Sequence, residues 1–309
     1  MSLLPVFVNN QYEVRSGWKF AAYTAILVFT FVLTNIAAVA LLYWIDPGVL
    51  LLPRSDWRFL GVNALVLLVP AVAALLISAR IERVPVSAFG LSLHHGWLRD
   101  FALGIAVAGA LLVATFGASL LFEGTRVEAT ASAAVAPAIG ATFLILAISA
   151  LNEELVFRGY PLQVFLKGIG PWGAILLISF IFGLLHARNP GATVLSTVNT
   201  ILAGVFLCRA YLKTRSLWLP YGIHFGWNAG LAVVLGYPVS GLDMPSILNT
   251  TTGSEMILGG GYGPEGGILG TVLFLAAAIA IGWLPIGRVS PDMRATLTAH
   301  ADKLYVEEL

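Results

Sequence analysis

The stretch FAAYTAILVFTFVLTNIAAVALLYW, from Phe20 to Trp44, runs for 25 residues without one charged side chain. A helix rises about 1.5 Å per residue, so this stretch is long enough to cross the ~30 Å hydrocarbon core of a bilayer. Arg15 and Lys19 precede it. It is too long for the apolar region of a cleaved signal, and so reads as a first membrane span. Further apolar runs of comparable length lie at Phe59–Ala79, Phe101–Phe122, Ala138–Phe157, Pro171–Leu185, Thr193–Leu207, Leu217–Leu235 and Ile268–Ile286, giving about eight transmembrane helices. The fifth and sixth are the shortest. The runs are continuous rather than alternating, which argues against a membrane barrel. Pro70 sits inside the second run, where a kink is expected.

Composition agrees with this reading. Of 309 residues, 58% are hydrophobic and only 11% charged, against roughly a quarter charged in ordinary soluble domains. A soluble globular enzyme, a disordered chain and a nucleic-acid binder are thereby excluded. The net charge of +1 implies no bulk electrostatic partner. One cysteine, Cys208, forbids an intrachain disulfide and reads as a small buried hydrophobe. The expected fold is all-α: a polytopic membrane helix bundle, residues 1–309 forming a single membrane domain.

Cations set the expected orientation. With eight spans, the two tails and the second, fourth and sixth connections carry 13 Lys and Arg, while Arg54, Arg58, Arg126 and Arg188 fall on the other side. Both termini are therefore expected in the cytoplasm, in a multi-pass cell-membrane protein. The segment 237–267 has no Lys or Arg and is rich in glycine. It reads as a flexible non-cytoplasmic linker, or as a lid or re-entrant segment over a cavity.

Ionisable groups inside spans are costly and so informative. In Ala150-Leu-Asn-Glu-Glu-Leu-Val-Phe-Arg158, Glu154 and Arg158 stand four residues apart and share a helix face. Glu153 points about 100° away, toward the face of Phe157. Arg158 can then neutralise Glu154 and leave Glu153 for other work, although an interfacial charge cluster ending the helix is also open. Phe182 and His186 repeat the four-residue spacing, with Gly183 permitting close approach of another helix. His224 and Asn228 repeat it again, with Gly222 and Gly226 thinning the helix surface. Each of these is open to a bland packing reading. Asn199 has no evident partner and reads as packing. His94, His95 and His300 read as solvated surface. Together, three spans offer a carboxylate, two imidazoles and an amide, a set able to activate water and stabilise an oxyanion. No Gly-x-Ser-x-Gly, His-Glu-x-x-His, Gly-Tyr-Gly-Asp or phosphate-loop motif is present.

Glu153-Glu154-x-x-x-Arg158, Phe182-x-x-x-His186 and His224-x-x-x-Asn228, in that order, resemble the motifs of the CPBP family of intramembrane endopeptidases. This is the CAAX protease and bacteriocin-processing, or abortive-infection, group, which includes the Ras-converting CAAX endopeptidases. The resemblance covers about 138–236 and implies a catalytic core there, built around a polar, water-filled cavity. It implies Glu153 as general base, His186 as the residue that helps bind and polarise the attacking water, and His224 and Asn228 as oxyanion stabilisers. Glu154 would belong to the same motif, held by Arg158. The family is often described as metallo. With two imidazoles and no thiolate, the donor set favours chemistry without an obligatory metal. A divalent ion such as Zn²⁺, if bound, would be held by Glu153, His186 and His224.

The expected activity is intramembrane hydrolysis of a peptide bond in a membrane-associated or lipidated protein, with membrane lipid and that peptide as partners. A proton-coupled transporter, or a non-catalytic membrane scaffold or resistance protein, are the alternatives. One requirement follows from the spans. Glu153 lies toward the cytoplasmic end of the fourth run and His186 toward the opposite end of the fifth. Contact needs the fourth helix to continue past Phe157, which Val164-Phe165-Leu166 after Pro161 permits, or the fifth to start deep.

Overall fold

A computed structural model of the chain describes residues 4–9, 13–53, 56–122, 124–251 and 254–306. Arg54, one of the cations assigned to the minor side, lies outside the described residues. Each of the eight apolar runs is helical. Among the described residues, the first eight α-helices longer than four residues are α1 (Ser16–Ile45), α2 (Trp57–Glu82), α3 (Trp97–Ser119), α4 (Ala136–Arg158), α5 (Tyr160–His186), α6 (Val194–Thr214), α7 (Trp218–Ala229) and α8 (Ile268–Trp283). A π-turn, Gly230–Val234, prolongs α7. A ninth, α9 (Pro291–Ala299), lies in the C-terminal tail. By length and composition, α1, α2, α3, the continuous stretch of α4 with α5, and α6 are each long and apolar enough to cross a membrane; α8 is apolar but shorter. The protein is a multi-pass membrane helix bundle. Pro70 lies within α2 without ending it.

The connections sort to two ends. Lys19 at the start of α1 pairs with Glu82 at the end of α2 (2.8 Å). Lys167 pairs with Glu13 of the N-terminal tail (2.9 Å), and the His95 backbone N–H donates to Asp292 of α9 (2.9 Å). At the other end, β1 (Arg126–Ala129) pairs antiparallel with β2 (Leu248–Thr251), with Arg126 opposite Thr251. Asn189 Nδ2 donates there to the Ser240 carbonyl (3.1 Å). Both tails thus share an end with the second, fourth and sixth connections, as eight alternating crossings require.

The fifth helix departs from its sequence reading. It begins at Tyr160 rather than Pro171, and the region expected to be a loop is helical and largely buried. Its break is at Gly170, whose φ of 74° only glycine adopts without strain. Glu153 precedes Gly170 by 17 residues and His186 follows it by 16. Phe157 and Phe182 are nearly symmetric about the same point, and their rings meet at 5.1 Å. The chain therefore makes a helical hairpin with its tip at Gly170, and that tip position brings Glu153 level with His186.

Small residues set the closest packing. A Cβ built on Gly222 of α7 collides with the Phe101 carbonyl of α3, and one on Gly104 meets the α7 backbone. Gly183 likewise faces Ile201 and the Thr197 carbonyl of α6. Between lipid-soluble helices, close backbone approach replaces the hydrophobic drive available in water. On α1, Phe29, Ile36 and Leu41 stay exposed, as a lipid-facing helix requires. Gly222→Ala is expected to separate α3 from α7 and destabilise the protein by about 1–3 kcal/mol, as overpacking does. Gly109→Ala, where an added Cβ meets nothing within 4 Å, is expected to be neutral. Thermal melting of both variants in detergent checks this.

Candidate active site

Three apolar clusters meet around one polar cavity of about 320 Å³. Phe182 reaches it from the first cluster, Leu146 and Trp227 from the second, and Phe206 and Ile223 from the third. On α4 the lining stripe is Ile145, Leu146, Ser149, Asn152 and Glu153, one face at helical spacing. Glu153, His186, His224 and Asn228 all line this space.

Glu154 and Arg158 are both fully buried, and Arg158 Nη1 donates to Glu154 Oε1 at 3.0 Å. His224 Nδ1–H donates to the same oxygen at 2.8 Å. The Arg158 guanidinium also lies 4.6 Å from the Phe182 ring centroid, a cation–π contact. One buried carboxylate thus holds both the guanidinium that neutralises it and the imidazole of another helix. Cys208 is buried as expected, with Ser179 Oγ 3.9 Å from its sulfur.

Glu153 has a different environment. Its Oε2 has no hydrogen-bond partner. It lies 3.8 Å from His186 Nε2 and 3.6 Å from His224 Nε2. His186 Nδ1–H donates to the Phe182 carbonyl (2.8 Å), which orients its ring. Both imidazoles are therefore pinned through Nδ1 and present Nε2 to the same carboxylate oxygen. The Phe182 ring packs at 4.5 Å from His186 and 6.2 Å from His224. Separations beyond about 3.5 Å suit a bridging water rather than a direct bond. Asn228 lies one helical turn beyond His224.

The structure thus brings together Glu153, Glu154, Arg158, Phe182, His186, His224 and Asn228, and separates Glu153 from the Glu154–Arg158 pair as helical geometry requires. It also adds residues. Asn152, buried, has an unpartnered Oδ1 and lines the cavity beside Ser149. Asn63 contributes from α2. Glu265, in the glycine-rich segment, reaches the cavity as well. No motif marked Glu265, and as one of three acids in a segment without cations, beside Asp243 and Glu255, it carried no distinguishing signal. Asn199, read as packing without a partner, holds that segment: its Nδ2 donates to the Glu265 and Gly267 carbonyls, each at 2.8 Å. His94, read as solvated, is buried, with Nε2 3.0 Å from Ser216 Oγ. It lies under the connection between α6 and α7, so its position in a charged loop was no guide to its burial.

Residues 135–230 match the family model described as "Rce1-like: Type II CAAX prenyl endopeptidase Rce1-like". The matched residues make up less than half of the chain. The matched segment holds Glu153, Glu154, Arg158, His186, His224 and Asn228, and its likeness at family level is to the CAAX-protease type of intramembrane endopeptidase. An uncharacterized protein of Bacillus subtilis (strain 168), YyaK, is 28% identical over 123 residues, which are 38% of this chain and 41% of that protein. The match therefore spans about two-fifths of that relative. No solved structure matches the chain.

Among the described residues, no group of three or more His, Cys, Asp or Glu side chains is arranged to hold a metal ion.

Because Arg158 is the counter-charge of a fully buried carboxylate, its loss leaves that charge poorly compensated. Arg158→Met is expected to destabilise the protein by about 3–5 kcal/mol. Glu154→Gln/Arg158→Met, which removes both charges, is expected to recover much of the loss. Unfolding in detergent measures both.

Proposed function

We propose that the protein is an intramembrane endopeptidase that hydrolyses a peptide bond in a membrane-associated or lipidated protein with water activated by Glu153. The observation that carries this reading is the convergence of His186 Nε2 and His224 Nε2 on the unpartnered Glu153 Oε2. A water placed about 2.8 Å from each of these atoms satisfies all three at ordinary hydrogen-bond length.

Glu154 is unsuited to act as base, since its Oε1 is shared by Arg158 and His224. Glu153 faces the cavity and is free to accept a proton. In the proposed reaction Glu153 takes one proton from the water. The hydroxide oxygen bonds to the scissile carbonyl carbon, and the carbonyl π electrons move to oxygen. His224 Nε2–H in the imidazolium form and the Asn228 amide donate to that oxyanion. The Glu154 carboxylate holds the imidazolium through Nδ1. Glu153 then returns its proton to the leaving nitrogen as the C–N bond breaks. His186 positions the water and cannot easily turn away, because Nδ1 is committed to Phe182. No metal is assigned a step.

The membrane setting bears on the substrate. An apolar groove of about 270 Å³, lined from α3, α6 and α8, shares Leu111 and Phe206 with the polar cavity. Such a groove suits the hydrocarbon of a lipidated or membrane-inserted substrate whose scissile amide enters the cavity. The cation bias of the tails and even connections supports a cell-membrane protein with both termini in the cytoplasm.

Cleavage of candidate lipopeptides by purified protein tests the proposal. Glu153→Gln is expected to lower the rate by about 10²–10⁴-fold, the usual worth of a positioned base, with normal expression. His186→Ala is expected to be similarly damaging, and a chelator to leave the wild-type rate unchanged. Wild-type turnover retained by Glu153→Gln excludes Glu153 as the base, and loss of activity on chelation excludes a metal-free mechanism.

A further inference from the structure

The described residues of the glycine-rich segment, 236–251 and 254–267, form neither a linker nor a loose loop. Tyr237, Val239, Leu258, Tyr262 and Glu265 in it are buried. A Cβ on Gly263, whose φ is 88°, collides with the Pro238 carbonyl, so the segment folds back on itself more closely than any other residue permits. Glu265 is its central tie. Trp227 Nε1–H of α7 donates to Glu265 Oε1 at 2.8 Å. The Ser240 backbone N–H and hydroxyl donate to Glu265 Oε2 at 2.7 and 2.9 Å. Asn199 of α6 meanwhile grips the Glu265 and Gly267 carbonyls, and Thr271 of α8 donates to Asn199 Oδ1 at 2.7 Å. Three helices thus hold one carboxylate and its backbone at the cavity wall.

From this geometry we infer that Glu265 is a positioning residue that latches residues 237–242 and 262–267 as a fixed cap on the cavity, leaving the side beside Asn63 on α2 as the entrance. Among the described residues lining the cavity, Asn63 is the one exposed side chain. It interrupts an otherwise apolar stripe of Leu60, Ala64 and Leu67, all facing the same space. A substrate arriving within the membrane meets this polar residue at the mouth, while the cap covers the end of the bundle that carries β1 and β2. The inference concerns access and stands whether or not the cavity hydrolyses peptides.

The charge of Glu265 matters because every partner at its two oxygens can act as a donor, and two of them are N–H groups that can do nothing else. Glutamine offers one oxygen and one NH₂. Either amide orientation sets the NH₂ against the Trp227 indole N–H or the Ser240 backbone N–H. Glu265→Gln therefore breaks the latch with almost no change in size.

Cysteine labelling tests this in the full-length protein in detergent. Cys208 is fully buried, so it contributes little background. Ala203→Cys places a thiol on the cavity wall, one turn beyond Asn199 on the same face of α6. A water-soluble maleimide is expected to label it slowly, at least five-fold more slowly still with Asn63→Trp, and at least ten-fold faster with Glu265→Gln. Trp227→Phe, which removes one donor and keeps the carboxylate, is expected to fall between, with a melting temperature near that of the parent. If Glu265→Gln and Trp227→Phe both label at the parent rate, the latch is refuted. If Asn63→Trp does not slow labelling, the entrance lies elsewhere. Because the readout needs no turnover, a failed protease assay leaves it interpretable.

Discussion

The fully buried pair of Glu154 and Arg158 is the constraint on which the centre of the bundle depends. Removing two charges from water costs several kcal/mol each unless each finds close compensation. Here the compensation is local in sequence, since a four-residue spacing on α4 brings Arg158 Nη1 to Glu154 Oε1. It is then extended across the bundle, because the same oxygen accepts from His224 of α7. The charge pair consequently does more than neutralise itself. It orients an imidazole that belongs to another helix and leaves its Nε2 pointing at the cavity.

Glu153 gains its distinct character from the same arithmetic. Adjacent residues on a helix diverge by about 100°, so one acid of the Glu153-Glu154 dipeptide is buried against Arg158 and the other faces the cavity. A chemical difference between two identical side chains arises from one residue of helical phase. The hairpin tip at Gly170 then decides which helix turn Glu153 meets. A tip a few residues earlier would bring it to a different turn of α5, away from His186.

The cap shows a second use of buried polarity. Glu265 is satisfied by donors from α7 and from its own segment, and Asn199 satisfies the adjacent carbonyls, so irregular backbone is tolerated where it lines protein rather than lipid. The glycines let that backbone pack closely. Their abundance looks like flexibility in a sequence, yet in the folded protein they are the reason the segment is compact.

Much of this is legible in the sequence. The hydrophobic runs, their number, the alternation of connections between two ends and the pairing of Glu154 with Arg158 follow from composition and helical period, which are local properties. So do the positions of His186, His224 and Asn228 as isolated polar groups in apolar spans. What tertiary structure alone decided is which of these groups meet. His224 reaches Glu154 across 70 residues of sequence, and Asn199 reaches Glu265 across 66. Such meetings depend on where the chain reverses and on which helix faces pack. A helical repeat of 3.6 residues fixes direction around one axis, but carries no information about the neighbour that direction will find.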